Sequence, residues 1–176
     1  MALNISKPKI EHREAIHYIA LRKKVSIGLL GNFINEALDQ CDAYFKKINN
    51  VPMAAALIRY HECPTIPDQE NEVDVSIGYP VHSPLETSLP FINGIVPEGK
   101  YASLVFVGIE NGIAGNDFLI QWAKANDIEW DSWPTKIGDG FIGRVEHLLD
   151  GPDEDPEPTN WRTEVAIKIK EIKNLK

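Results

Sequence analysis

The sequence predicts an α+β fold: a duplicated strand-helix-strand-strand unit, with antiparallel sheets, two helices on one side and a ligand cleft on the pseudo-twofold. Three observations predict it. The chain has 176 residues, 43% hydrophobic and 25% charged, the balance of one globular domain spanning residues 1–176. Apolar residues recur with the period of a strand, then of a helix, then of two strands. That order then restarts, giving pseudo-repeats over about residues 8–82 and 97–170. Neither half is large enough to bury a sheet face and a helix face alone, so the halves must pack together. The sheet face away from the helices then forms a concave surface near the pseudo-twofold, a natural place for a ligand.

The elements follow in order. Lys9 to Val25, rich in Ile, Tyr and Val, reads as a strand bent at His12 to Glu14. A helix follows with Asn32 as N-cap. Phe33, Ala37, Leu38, Cys41, Phe45 and Ile48 share its apolar face, Asp39, Asp42, Lys46 and Lys47 take the other, and Asn49, Asn50 and Pro52 end it. Met53 to His61 is a short apolar strand. Glu72 to Val81 alternates, with Val73, Val75, Ile77 and Tyr79 pointing one way and Asp74, Ser76 and Gly78 the other. After a connection containing Pro84, Pro90 and Pro97, the second unit begins with a strand from Lys100 to Gly108. Its helix has Asn116 as N-cap and Phe118, Leu119, Trp122 and Ala123 on the apolar face. A Trp-rich turn from Trp130 to Pro134, a strand from Phe141 to Leu149, an acidic turn from Asp150 to Pro158 and a strand from Trp161 to Ile169 complete it.

Charge excludes two partner classes. Lys plus Arg number 18 against 26 Asp plus Glu, a net −8, and such a surface repels phosphate backbones and anionic lipid. No direct nucleic-acid or membrane binding is expected. Met1 to Lys9 lacks the apolar core of a signal peptide, and no stretch approaches the ~18 apolar residues of a spanning helix, so a cytoplasmic protein is expected. Cys41 and Cys63 form no disulfide framework or metal motif, and His12, His17, His61, His82 and His147 show no ligand spacing. No metal and no cofactor is expected. Gly138-Asp-Gly140-Phe-Ile-Gly143 fits a dinucleotide pattern, but it precedes a strand where that chemistry needs a helix, so these glycines read as turn formers.

Two features carry the functional reading. Glu146 lies mid-strand in an apolar run, on one face with Ile142, Arg144 and Leu148. Three readings stand: a solvent-facing acid, a structural pair with Arg144, Arg59 or Arg162, or a charge placed inside a ligand cavity. Glu164, one strand on, reads as edge-facing. The second feature is aromatic: Trp122, Trp130, Trp133 and Trp161 lie in the second half, with Tyr101, Phe106 and Phe141. Trp130 and Trp133 sit in a proline-containing turn beside Glu129 and Asp131, and an aromatic wall beside a carboxylate suits flat, apolar or cationic ligands.

Four stretches, in order, carry a resemblance: Val73-Asp-Val-Ser-Ile-Gly-Tyr-Pro-Val81; Pro97-Glu-Gly-Lys-Tyr-Ala-Ser; Val145-Glu-His-Leu-Leu-Asp-Gly-Pro-Asp-Glu-Asp; and Trp161-Arg-Thr-Glu-Val-Ala-Ile. From Lys9 to about Ile169 the chain resembles the GyrI-like small-molecule-binding domain, the effector-binding domain of AraC- and MerR-type multidrug regulators. The resemblance implies the duplicated fold and places the family's pocket glutamate on Glu146, which in the regulators attracts lipophilic cations. It also implies a hydrolase alternative, since some stand-alone relatives open strained cyclopropane rings with this glutamate. A third alternative is a protein-interaction module such as a gyrase inhibitor, with the acidic 150–157 loop as contact and the protein partner unknown. Two positions depart from the family pattern: Leu148 replaces the motif's tyrosine and Ser76 an acid. The resemblance starts almost at the first residue, so the regulators' helix-turn-helix is not expected in this sequence. The expectation is a stand-alone protein that binds an amphipathic or hydrophobic small molecule for sensing or sequestration. Glu146 is its anchor, with Tyr101, Trp130, Trp133, Phe141 and Tyr79 as the wall.

Overall fold

A computed structural model describes residues 3–172. The elements are β1 (Lys9–Arg13), β2 (Ile16–Ser26), α1 (Ile27–Lys47), β3 (Leu57–Pro64), β4 (Glu72–Val81), β5 (Ile92–Val96), β6 (Gly99–Val107), α2 (Gly112–Ala125), β7 (Ser132–Pro134), β8 (Gly138–Phe141), β9 (Arg144–Leu148) and β10 (Arg162–Lys168). All strands join one curled antiparallel sheet in the order β1-β6-β10-β9-β3-β4-β2-β5, with the β7–β8 hairpin attached to β3. The first half contributes β3-β4-β2 and the second β9-β10-β6, so the repeat is visible in the topology. The halves meet where β3 pairs with β9, in the register Leu57↔His147, Ile58↔Glu146 and Arg59↔Val145. That pair carries the pseudo-twofold.

Strand alternation assigns each side of the sheet. Val73, Val75 and Ile77 of β4, Ile58, Leu104 and Val165 face the helices and pack with Phe33 and Ala37 of α1 and Leu119 of α2. Tyr18, Ala20, Leu57, Tyr101, Val145 and Ala166 fill the opposite face. α1 packs chiefly on β2 and β4, and α2 on β6, which leaves the seam strands β3 and β9 between them. No helix among the described residues is long and apolar enough to cross a membrane.

Both helices begin earlier than their sequence signals suggest. α1 starts at Ile27, not after Asn32, because its first amides are capped by the β3–β4 loop: Ile27 N–H donates to Asn71 O at 2.9 Å and Gly28 N–H to Gln69 O at 3.0 Å. At Gly28 a Cβ would lie 3.2 Å from Gln69 Oε1, so glycine lets that loop approach. α2 starts at Gly112, which places Asn116 inside the helix. The single bent strand divides into β1 and β2, and β1 pairs with β6 of the other half. β5 is a further strand, added to the free edge of β2.

The face away from the helices holds a buried polar set that makes stability depend on pH. His61 Nε2 lies 2.7 Å from Ser76 Oγ, and burial together with Arg59 and Arg22 pushes the imidazole down from 6.5 to about 4. Between those values the unfolded chain binds the extra proton, so this contribution is complete above pH 6.5 and lost as pH falls toward 4. After allowance for a part-exposed ring, the loss is about 2 kcal/mol. His61→Gln, which keeps a hydrogen-bonding group opposite Ser76, should flatten that part of the stability–pH curve in urea titrations.

Candidate functional site

Glu146 faces the helix side, in the row Leu104–Val165–Glu146–Ile58–Ile77 across five strands. The sequence placed the ligand surface on the opposite face; the register puts the acid on this one instead. Glu146 is 7% exposed. Tyr60 Oη donates to Glu146 Oε2 at 3.2 Å, and Asn116 Nδ2 of α2 donates to Oε1 at 2.7 Å. Asn116 also accepts from Arg144 Nη2 at 2.8 Å, so the amide bridges the cation and the carboxylate. The Arg144 guanidinium stacks over the Phe141 ring at 4.8 Å and the Tyr60 ring at 5.5 Å. Its Nε is buried without an acceptor among the described residues.

Burial raises the Glu146 pKa above its ordinary 4.5, opposed by the Asn116 hydrogen bond, the Arg144 charge and the Tyr60 hydroxyl. The same desolvation, reinforced by the Glu146 charge, raises Tyr60 well above 10. The arrangement is a poised carboxylate under a helix, with a cation one amide away and two aromatic rings packed against that cation.

Of the arginines considered as partners for Glu146, only Arg144 joins this network. Arg162 is held by Asp150 at 2.7 and 2.9 Å, and Arg59 faces the other side, where it donates to the carbonyls of Tyr60, Phe141 and Ile142. Glu164 also lies on that other face, gripped by Arg13 at 2.8 and 3.0 Å. The aromatic candidates are spread out. Phe141 meets Glu146 through Arg144. Trp130 is half-buried at the edge of the same core and bridges Ile169. Trp133 stands on the β7–β8 hairpin, and Tyr79 packs edge-on against Phe45 of α1 at 5.9 Å. Tyr101 lies on the opposite face, its hydroxyl bonded to Pro97 O at 2.6 Å and pushed up to about 12 by burial. Tyr60 and Asn116 were not read as site residues. The only signal for Asn116 was its misassigned cap, and Tyr60 is revealed by the β3–β9 register alone.

Comparison with known proteins decides the family. The model of the GyrI-like small molecule binding domain matches residues 6–132, most of the chain. The protein belongs to this family. No curated protein matches the sequence. Among solved structures this GyrI-like domain is similar to EcmrR. It covers 98% of itself and 100% of the EcmrR C-terminal domain, at 13% identity and a TM-score of 0.69. Against EcmrR in its DNA complex the identity is 13% and the TM-score 0.73, over 94% of this chain but only 58% of that one. SAV2435 bound to tetraphenylphosphonium matches at 11% identity and a TM-score of 0.57, covering 94% of each chain. A hydrolase from Listeria innocua matches at 10% identity and a TM-score of 0.58, over 93% of this chain and 92% of that one. At these identities the likeness is one of fold.

Proposed function

We propose that the protein binds amphipathic, aromatic or drug-like small molecules in a hydrophobic cleft between α1 and α2, for sensing or sequestration in the cytoplasm, with Glu146 as the charged anchor. One observation carries this reading. Glu146 is a buried carboxylate at the pseudo-twofold whose direct partners among the described residues, Tyr60 and Asn116, are both neutral. Removing a carboxylate from water costs several kcal/mol, and an incoming cation offsets that cost. Phe141 and Tyr60 supply aromatic surface, and Arg144 Nε a donor for a polar atom of the ligand. Because Asn116 closes the site from above, a ligand reaching Glu146 must displace the first turns of α2. SAV2435, of similar fold, binds a lipophilic cation, which supports the same chemistry here. The net charge of −8 argues against contact with DNA.

A thermal-shift screen of lipophilic cations, neutral steroids and bile-acid anions tests the proposal. At one hundred times its dissociation constant a true ligand stabilises the fold by about 2.7 kcal/mol. Shifts by cations that disappear in Glu146→Gln are expected. Shifts by steroids or anions that survive in the variant would remove Glu146 from the role of anchor.

A second reading rests on the Tyr60–Glu146 hydrogen bond. A phenol beside a carboxylate of raised pKa is a proton donor–acceptor pair suited to activating water, and it supplies the hydroxyl that Leu148 does not. The similar Listeria hydrolase supports this alternative. It requires product from an electrophilic substrate, lost in Glu146→Gln and Tyr60→Phe; absence of product disposes of it. The acidic loop is less suited to capture a protein, because three of its five acids are engaged internally: Asp150 with Arg162, Glu154 with Gly151 N–H and Asp155 with Asn160.

A further inference from the structure

A groove of about 530 Å³ lies away from Glu146, between the β7–β8 hairpin and the ends of β2, β3 and β4. Trp133, Ile137 and the exposed Lys136 lie on one side, and Lys24, Glu62, Glu72 and Asp74 on the other. Trp133 pairs with Gly140, and a Cβ at Gly140 would fall 2.3 Å from the indole ring, so the absent side chain is what lets the ring lie against β8. Yet Trp133 remains 47% exposed. A large ring seated against the sheet and left half open costs apolar exposure and provides a stacking surface.

The facing charges are unequally committed. Asp74 is engaged by Arg22 through two bonds of 3.0 and 2.9 Å, which hold its carboxyl below the usual range. Glu62 has Lys24 at 3.7 Å, beyond hydrogen-bond reach, and Glu72 has no ion pair among the described residues. Lys24 is an exposed, flexible side chain that can swing outward. Glu62 and Glu72 therefore lie opposite the indole, with the exposed Lys24 and Lys136 free to turn into solvent, on a molecule whose net charge of −8 draws cations toward it.

We propose that this groove is a second binding site, separate from the Glu146 cleft, for a small organic cation with an apolar part. The cation rests on the Trp133 ring and is neutralised by Glu62 and Glu72, while the apolar part covers Ile137. Among the aromatic side chains, indole is the strongest partner for a cation.

The test is a titration of the whole chain with benzyltrimethylammonium chloride, followed by NMR at the indole N–H signals of the four tryptophans, Trp133 being identified with Trp133→Phe. A saturable movement of the Trp133 signal is expected, about tenfold weaker in affinity in the double variant Glu62→Gln/Glu72→Gln. It should persist unchanged in Glu146→Gln, so the groove stands or falls independently of the cleft. Three results overturn the proposal: no saturable movement of Trp133, movement lost in Glu146→Gln, or an equal response to neutral benzyl alcohol.

Discussion

Ile58→Ala should destabilise the protein by about 3–4 kcal/mol, more than any surface change in the chain. Ile58 is 1% exposed and stands opposite Glu146 on β9 and Ile77 on β4. Its side chain lies where the halves join, beneath the gap between the helices. Truncation removes the transfer free energy of the lost carbons and leaves a cavity. β3 is bonded along both edges, so its backbone has little freedom to collapse into that space. Ile58→Val, which removes one carbon, should cost about 1 kcal/mol. Urea denaturation measures both, and an unchanged m-value confirms that the native state alone is affected. A loss below 1 kcal/mol for the alanine variant would mean that the halves are not held together at this seam.

Glu146→Ala should cost about 3 kcal/mol, whereas Glu146→Gln should cost far less. Alanine strands two donors, Tyr60 Oη and Asn116 Nδ2, and leaves the buried Arg144 without a nearby negative charge. Glutamine keeps an oxygen for Asn116 and places its amide opposite Tyr60, whose hydroxyl also accepts. The two variants also separate the charge from the hydrogen bonds. Because burial raises the Glu146 pKa, the native state holds the proton more tightly than the unfolded chain. The stability tied to that proton is complete below 4.5 and is lost as pH rises through the folded value. Glu146→Gln has no such loss, so its stability relative to the native protein should improve as pH rises above 4.5. A difference that moves the other way would mean that Arg144 and Asn116 outweigh desolvation.

The parts of the fold written locally were legible. Val73, Val75 and Ile77 alternate strictly and lie on one face, and Phe33, Ala37, Cys41 and Phe45 recur every fourth residue and form the buried stripe of α1. The start of α1 was not legible, because its cap is the backbone of residues 69 and 71, distant in sequence and without a side-chain signal. β5 was hidden inside the connection containing Pro84, Pro90 and Pro97, and its Gly94 carries no strand signal because Tyr18 occupies its side-chain space, where a Cβ would lie 2.1 Å from the ring. Glu146 stood out as an acid in an apolar strand. Tyr60 and Asn116, its partners, did not, since each reaches it by a pairing or a helix position that only the assembled sheet defines. The tryptophans were conspicuous but uninformative about place, and Trp133 proved to line a groove away from the acid.

Calorimetric titration of tetraphenylphosphonium into the native protein and Glu146→Gln, repeated across pH, tests the central claim most directly. The account predicts that affinity for the native protein rises with pH as Glu146 ionises, above its ordinary 4.5. The variant should bind at least about tenfold more weakly, with that rise absent, a difference of about 1.4 kcal/mol or more. Equal affinity for the two proteins, flat with pH, would contradict it and make Glu146 a structural residue.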